Sequence, residues 1–149
     1  MSMYGEPIDN RSFYQGDILK DSPFLIIRKA FNISNENLVV RQLTIMLLSQ
    51  TCDIEHRDFL IVARIVAVED LGANANFLQS LRDRRQKYLF YLPGNDDFQE
   101  SCVDFTQMIY IPKEALLIEN RIKSLSDLGR HWLAYQIADY FGRPFDPAG

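Results

Sequence analysis

A short segment after the most apolar part of the chain concentrates side chains that can do chemistry. Residues 48–56 read Leu-Ser-Gln-Thr-Cys-Asp-Ile-Glu-His, which brings together a thiol, an imidazole, carboxylates and hydroxyls. Loops held by a rigid strand are frequent places for binding and catalysis. The segment therefore predicts a polar binding rim that comprises Ser49, Gln50, Thr51, Cys52, Asp53 and His56.

Three other interpretations of this segment stay open at the level of sequence. In the simplest, Cys52 is a small buried apolar residue and Asp53 caps a turn, because a free Cys is usually structural. In the second, Cys52 is a nucleophile activated by a histidine, although no glycine-rich turn flanks it to form an oxyanion hole. In the third, a zinc ion is coordinated by all the Cys and His side chains of the chain, namely Cys52, His56, Cys102 and His131. Their spacing matches no compact zinc motif, so we predict neither a metal nor a cofactor.

Strand geometry adds an expectation about this segment. Neighbouring side chains of an extended chain point to opposite faces. If the backbone stays extended through residues 48–53, Asp53 faces a concave wet surface and Cys52 packs beneath it.

The chain has one dense basic cluster, and aromatic residues follow it. The cluster comprises Arg82, Arg84, Arg85 and Lys87, and Tyr88 and Tyr91 come directly after. Cations that hold phosphates beside aromatic rings that stack bases are typical of nucleic-acid binding. The same charges also suit the solvated last turn of a helix, where cations interact favourably with the helix dipole.

Length, charge and cysteine content limit the class of protein. A chain of 149 residues predicts a single domain over residues 1–149, in which residues 1–12 form a loop-like segment. The net charge of −4 excludes a protein that coats nucleic acid by overall charge. Two cysteines exclude a disulfide-dense scaffold, and the first ten residues lack the pattern of a signal peptide. We therefore expect a cytoplasmic protein that does not enter a membrane.

Apolar runs separated by turn residues predict several short strands. We expect strands over residues 13–19, 24–28, 38–49, 59–68, 88–92, 103–111 and 116–118, with a turn at residues 32–37. A helix capped by Asn74 or Asn76 is inserted and runs to about Gln86. The order of elements favours an α+β fold, in which a partly open antiparallel barrel carries appended helices.

The closing helix has the clearest periodicity. Ser124 or Ser126 can cap its first turn, and Gly142 followed by Pro144 ends it. Apolar residues recur at helical spacing, namely Leu125, Leu128, Trp132, Leu133, Ile137, Tyr140 and Phe141. We expect this stripe to face the sheet, so that Trp132→Ala would cost about 3–5 kcal/mol as a core truncation.

Two short motifs resemble those of a known family. Gly16-Asp17-Ile18 near the first strand, followed by a buried strand that ends in Leu47-Leu48-Ser49, resembles the MazF/PemK-type toxin domain. The resemblance implies an SH3-like barrel with appended helices, usually a homodimer, and many members cleave RNA. Arg41 lies near the place of the family's catalytic arginine. The Cys-Asp-Ile of residues 52–54 resembles instead a group of uncharacterised bacterial proteins.

These observations lead to two principal hypotheses of function. The first is a module that binds a nucleic acid or a protein through the polar rim. The second is a metal-independent endoribonuclease of the toxin type, in which Arg41 stabilises the phosphoryl transition state. Fragments of RNA that depend on Arg41 would favour the second.

Overall fold

A computed structural model describes residues 2–27 and 37–142 of the chain. Seven strands form one antiparallel sheet: β1 (Tyr4–Gly5), β2 (Ile18–Ile27), β3 (Leu38–Leu47), β4 (Phe59–Ala67), β5 (Leu89–Leu92), β6 (Ser101–Pro112) and β7 (Arg121–Leu125). Their order across the sheet is β1-β7-β2-β3-β4-β6-β5. Three helices accompany them: α1 (Thr51–Ile54), α2 (Ala75–Arg82) and α3 (Asp127–Phe141). This arrangement confirms the predicted α+β class, in which a partly open sheet carries appended helices.

The centre of the sheet forms where the sequence is most apolar. β3 ends in Ile45, Met46 and Leu47, all fully buried, and it pairs there with β4. Side chains of β3 alternate between two clusters of the core, so Met46 packs on one face of the sheet and Ile45 and Leu47 on the other. β3 is therefore buried on both faces at this end. This burial fixes the end of β3, from which the polar segment leaves.

Both longer helices begin at the caps that the sequence indicates. The Asn74 side chain accepts a hydrogen bond from the Phe77 N–H at 2.9 Å and starts α2. The Ser126 hydroxyl accepts one from the Gly129 N–H at 3.1 Å and starts α3. These bonds satisfy amides that have no partner within the helix. α2 ends at Arg82, one turn before the predicted end.

The predicted apolar stripe of α3 faces the sheet only in part: Leu133, Ile137 and Tyr140 pack against the core as expected, but Trp132 and Phe141 are exposed. Gly129, Leu133 and Gln136 are its buried residues, whereas Trp132 keeps 39% of its surface exposed. A side chain at Gly129 would collide with the Met3 carbonyl, so this glycine lets the helix approach the N-terminal segment closely. The helix is thereby turned so that Trp132 lies beside the core rather than in it, and the prediction for Trp132 was wrong.

Other predicted elements also need correction. The prediction of a strand at residues 116–118 was wrong, since Ile118–Asn120 forms a 3-10 turn and the last strand is Arg121–Leu125. Residues 13–17 form a turn before β2, with Gly16 at φ +87°. Tyr4–Gly5, within the segment predicted as a loop, pairs with β7. The predicted turn at 32–37 lies outside the described residues except for Asn37.

Candidate functional site

The polar segment leaves the buried end of β3 and turns at once into the single turn of α1. The Gln50 carbonyl accepts hydrogen bonds from the N–H groups of Asp53 at 2.9 Å and Ile54 at 3.2 Å. Ile54 is buried and anchors the turn in the core. The Asp53 carbonyl in turn accepts from the Arg57 N–H at 3.0 Å, which fixes the direction of the following residues. The segment is therefore held by both core packing and backbone hydrogen bonds.

Two hydroxyls of the segment have structural partners. The Ser49 Oγ accepts a hydrogen bond from the Ile61 N–H at 2.8 Å, and so ties the segment to β4. The Thr51 Oγ1 accepts one from the Gln15 N–H at 3.1 Å. Gln15 also donates from its side chain to the Leu48 carbonyl at 2.9 Å. These bonds position the segment.

The helical turn overturns the expected position of Cys52. Because residues 51–54 are helical rather than extended, side chains do not alternate between two faces, and Cys52 lies on the surface. Its Sγ is 3.8 Å from the Gln50 Oε1. Both the packed-thiol expectation and the interpretation of Cys52 as a buried apolar residue were wrong.

An open groove of about 900 Å³ runs between this segment and α3. Four of the predicted rim residues line it, namely Ser49, Gln50, Asp53 and His56, and Gln15, Arg57 and Asp58 join them. Thr51 and Cys52 do not belong to its lining. The polar wall of the groove thus comes from the segment that the sequence indicated.

The opposite walls of the groove are apolar, and none of their residues was predicted from the sequence to belong to a site. Leu48 and Ile61 line the groove from the sheet, and Phe59 and Tyr110 from its outer part. Ile61 and Tyr110 are direct neighbours across β4 and β6, and Phe59 shares their face. The other wall is one face of α3, formed by Ala134, Ile137, Ala138 and Phe141.

Three aromatic side chains of the groove are largely open to solvent. Phe59 is 57% exposed, Tyr110 72% and Phe141 62%. Single exposed apolar residues are normal on a protein surface, but several around one groove indicate an interaction site. The charged groups of the groove are two carboxylates, Asp53 and Asp58, one guanidinium, Arg57, and the imidazole of His56. With two carboxylates and one guanidinium, the groove has no excess of positive charge.

Arg41 lies away from this groove. It sits on β3 opposite Phe24 and is exposed, whereas the groove begins beyond the other end of the strand. Leu47 lies six positions after Arg41, which corresponds to about 20 Å along a strand. The structure therefore does not bring the candidate catalytic arginine together with the polar rim.

The basic cluster is divided between different environments. Arg82 forms a bidentate ion pair with Glu100 at 2.7 and 3.1 Å, and this hydrogen bonding lowers the pKa of Glu100. Arg84 is half-buried, and its guanidinium carbon lies 4.6 Å from the Trp132 ring centre and 4.9 Å from that of Phe90. Burial lowers the pKa of Arg84. Arg85 and Lys87 are exposed, and the structure gives them no such contact with an aromatic ring.

The loop that carries these cations is fixed by α3. The buried Gln136 side chain donates hydrogen bonds to the carbonyls of Gln86 at 3.0 Å, Lys87 at 3.2 Å and Leu89 at 2.9 Å. Arg84 itself has a φ of +60° and donates to the Tyr91 carbonyl at 3.2 Å. Arg84 thus packs this loop against α3 and Arg82 pairs with Glu100, whereas Arg85 and Lys87 are exposed.

The histidines and cysteines do not form a metal site. Across residues 2–27 and 37–142, no group of three or more His, Cys, Asp and Glu side chains is placed to hold a metal ion. Cys102 is fully buried with Val68, Leu81 and Leu89, whereas Cys52 is on the surface. The zinc interpretation is therefore not retained.

The two thiols should differ strongly in reactivity. Desolvation, with a smaller effect of Asp104, raises the pKa of Cys102 to about 12, so its thiolate is scarce near neutral pH. We expect one rapidly reacting thiol per native chain in a titration with a disulfide reagent near pH 8, and two after unfolding. Cys52→Ser should abolish the rapid reaction. Two rapidly reacting thiols in the native chain would contradict the burial of Cys102.

The Gly-Asp-Ile motif has a structural role in this chain. A Cβ at Gly16 would lie 2.5 Å from the Leu125 Cδ1, so this tight turn requires glycine. Asp17 is fully buried and accepts hydrogen bonds from the Ser124 hydroxyl at 2.8 Å, the Tyr14 N–H at 2.8 Å and the Arg121 guanidinium at 2.9 Å. The motif therefore joins β2 to β7.

Comparison with known proteins finds structural similarity but no sequence match. No protein-family model and no curated protein sequence matches the chain. One solved structure with a similar arrangement is described as an endoribonuclease in complex with its cognate antitoxin from a mycobacterial species. The two share 8% identity with a TM-score of 0.48, over 86% of this chain and 98% of the other. Ribonuclease activity thus stays a prediction for this chain.

No helix among the described residues has the length and apolar character needed to cross a membrane.

Proposed function

We propose that this chain is a binding module whose groove takes an apolar, positively charged segment of a protein partner. The observation that supports this most strongly is the set of exposed aromatic side chains Phe59, Tyr110 and Phe141 around one groove with two carboxylates on its polar wall. Aromatic residues are enriched in protein interfaces, where they often supply most of the binding energy.

The groove has a shape that can accommodate one face of a partner's helix or a short strand. The wall from Ala134 to Phe141 is eight residues long and spans about 10 Å along α3. An amphipathic helix placed beside it would bury apolar residues of about two turns against Ile61, Ile137 and Phe141. Helices that lay an apolar face into an apolar groove are a recurring mode of peptide recognition.

Charge favours a protein over a nucleic acid as the occupant. A phosphate backbone in the groove would face Asp53 and Asp58 with Arg57 as the single permanent cation. The chain as a whole carries a net charge of −4, which adds to this repulsion. Lys or Arg residues beside the apolar side chains of a partner would instead meet the carboxylates.

Fluorescence anisotropy with defined peptides tests the proposal. The probe is a short amphipathic helical peptide with Leu on one face and Lys on the other, compared with the same peptide carrying Glu in place of Lys. We expect the Lys peptide to bind at least tenfold more tightly than the Glu peptide. Tyr110→Ala should weaken it about 10-fold or more, equivalent to at least ~1.4 kcal/mol.

Tyr135→Ala is the matched control, because Tyr135 is 74% exposed on α3 but does not line the groove. This variant should bind the Lys peptide like the wild type. Equal binding of both peptides, or equal loss in both tyrosine variants, would refute the proposed groove. RNA fragments that the wild type produces and Arg41→Ala does not would favour the ribonuclease hypothesis instead.

A further inference from the structure

A further cavity, of about 170 Å³, lies between α3 and the loop that follows α2. We call it the loop cavity. Its main lining residues are two cations of the loop and one face of α3, namely Arg84, Lys87, Trp132, Tyr135, Gln136 and Asp139. It shares no lining residue with the groove, so it is a separate candidate site.

The guanidinium of Arg84 lines the loop cavity with most of its donors unused. A guanidinium has five N–H donors. Within the described residues, one of them forms a hydrogen bond, from the Arg84 Nη1 to the Tyr91 carbonyl at 3.2 Å. None of the ion pairs among residues 2–27 and 37–142 includes Arg84. The ring of Trp132 lies against the guanidinium, and stacking of this kind leaves the N–H edge free for a ligand.

Partial burial strengthens the attraction of this guanidinium for an anion. Desolvation lowers the pKa of Arg84, and no carboxylate among the described residues offsets this effect. Charged hydrogen bonds are stronger where water is partly excluded. A bound oxyanion would supply the counter-charge that the fold itself does not provide.

The loop is held in shape before any ligand binds. The buried Gln136 side chain donates hydrogen bonds to the carbonyls of Gln86 and Lys87. Arg84 has a φ of +60°, a left-handed conformation that residues other than glycine adopt rarely and that is frequent at ligand sites. A guanidinium fixed in this way loses little freedom when it binds a ligand.

The wall beside the cations is aromatic. Trp132 is 39% exposed and Tyr135 74%, so both rings have surface left to cover. We propose that the loop cavity binds a small ligand in which an oxyanion, a carboxylate or a phosphate, is attached to an aromatic ring. Arg84 and Lys87 hold the oxyanion, and the ring of the ligand packs on the aromatic wall. The volume agrees, since a cavity of about 150 Å³ holds one benzene molecule.

The surrounding charges favour a single oxyanion over a chain of phosphates. Arg82 is paired with Glu100, and Arg85 does not line the cavity. Only two cations of the cluster are therefore left for a ligand in the cavity, opposed by the one carboxylate of Asp139. The net charge of −4 repels a longer polyanion.

The fluorescence of Trp132, which lines the cavity, measures binding to the full chain. The probes are phenyl phosphate, benzoate, benzylamine and inorganic phosphate. We expect at least one of the two aromatic anions to bind at least about tenfold more tightly than benzylamine and inorganic phosphate, because it alone satisfies both the cations and the ring wall. Tighter binding of phenyl phosphate assigns a phosphate ligand, and tighter binding of benzoate assigns a carboxylate.

Four variants connect this binding to the cavity. Arg84→Gln and Lys87→Gln should each weaken the aromatic anion about fivefold or more, whereas Asp139→Asn should strengthen it. Lys87 and Asp139 are exposed, so these two variants should keep the native fold, and circular dichroism checks all of them. Arg85→Gln is the matched control, because it removes an exposed cation of the same loop that does not line the cavity. It should bind like the wild type.

Two outcomes would overturn the proposal. The first is a wild type that binds no aromatic anion, or that binds all four probes equally. The second is an equal loss of binding in Arg85→Gln and Lys87→Gln, which would indicate a general basic surface instead of a cavity. Tyr135→Ala should weaken the aromatic anion but not the Lys peptide of the groove, so the two proposals fail or hold independently.

Discussion

Asp17→Ala is expected to lower the free energy of unfolding by about 3–5 kcal/mol, the range measured when one partner of a buried ion pair is removed. Asp17 is fully buried, and only 7% of the Arg121 side chain is exposed. The substitution leaves the Arg121 guanidinium and the Ser124 hydroxyl without the carboxylate that accepts from them. Urea unfolding followed by circular dichroism measures the loss.

Arg121 explains why this ion pair matters for the fold. Its guanidinium also donates to the carbonyls of Ser12 and Asp9, so one side chain connects β7 with the segment before β2. Arg121→Ala should therefore destabilise the chain to a degree similar to that of Asp17→Ala. Loss of both together should cost less than the sum of the two single losses, because the two residues act in one network.

The control for this prediction is an exposed ion pair on the same strand. Lys123 lies 2.6 Å from Asp97, with 28% and 46% of their side chains exposed. Exposed pairs contribute at most about 1 kcal/mol, so Asp97→Ala should change stability little. If Asp17→Ala costs no more than Asp97→Ala, the buried pair does not stabilise the junction of β2 and β7.

The second large effect is expected from Leu133→Ala on α3. Leu133 is fully buried in the cluster beneath the helix, so its truncation should cost about 2–5 kcal/mol. Trp132→Ala should cost only about 1–2 kcal/mol, because this ring is partly exposed and loses mainly its contact with Arg84. Thermal or urea unfolding of the two variants measures the difference.

Comparing the variants of these two adjacent residues tests which face of α3 is buried. A larger loss for Trp132→Ala than for Leu133→Ala would contradict the orientation of the helix and, with it, the apolar wall of the groove. The intrinsic fluorescence of Trp132, the one tryptophan of the chain, adds an independent check. Quenching by iodide should be efficient in the native state if the ring is exposed as described.

The elements that the sequence predicted well are those with strong local signals. The apolar runs of β3 and β4 and the caps Asn74 and Ser126 depend on residues next to one another in the chain. β7 was missed because its sequence, Arg-Ile-Lys-Ser-Leu, is polar in isolation. Its two cations are matched by Asp17 and Asp97, which are distant in sequence, and no local pattern reveals such partners.

The exposure of Trp132 on α3 was missed for a related reason. Apolar residues occur almost all around this helix, so spacing alone does not decide between Trp132 and Leu133 as the inner residue. The close contact at Gly129 settles the rotation, and it depends on the position of Met3. A glycine within a helical pattern was the available signal, because such residues often mark a close approach.

Only the polar wall of the candidate site was predictable from the sequence. The polar wall follows a buried strand, which is a local pattern, and Ser49, Gln50, Asp53 and His56 all line the groove. Cys52 was misplaced because the segment forms a helical turn instead of continuing the strand. The apolar wall requires β6 and α3 to meet the segment in space, and their exposed aromatic residues look like core residues in the sequence.

The proposed groove is tested most directly by an NMR titration of the isotope-labelled chain with the Leu–Lys peptide. We expect the largest changes in amide shifts at residues 50–59 and along Ala134–Phe141, with small changes at Arg85 and Lys87. Changes confined to the loop that carries Arg85 and Lys87, with none in the groove, would contradict the account.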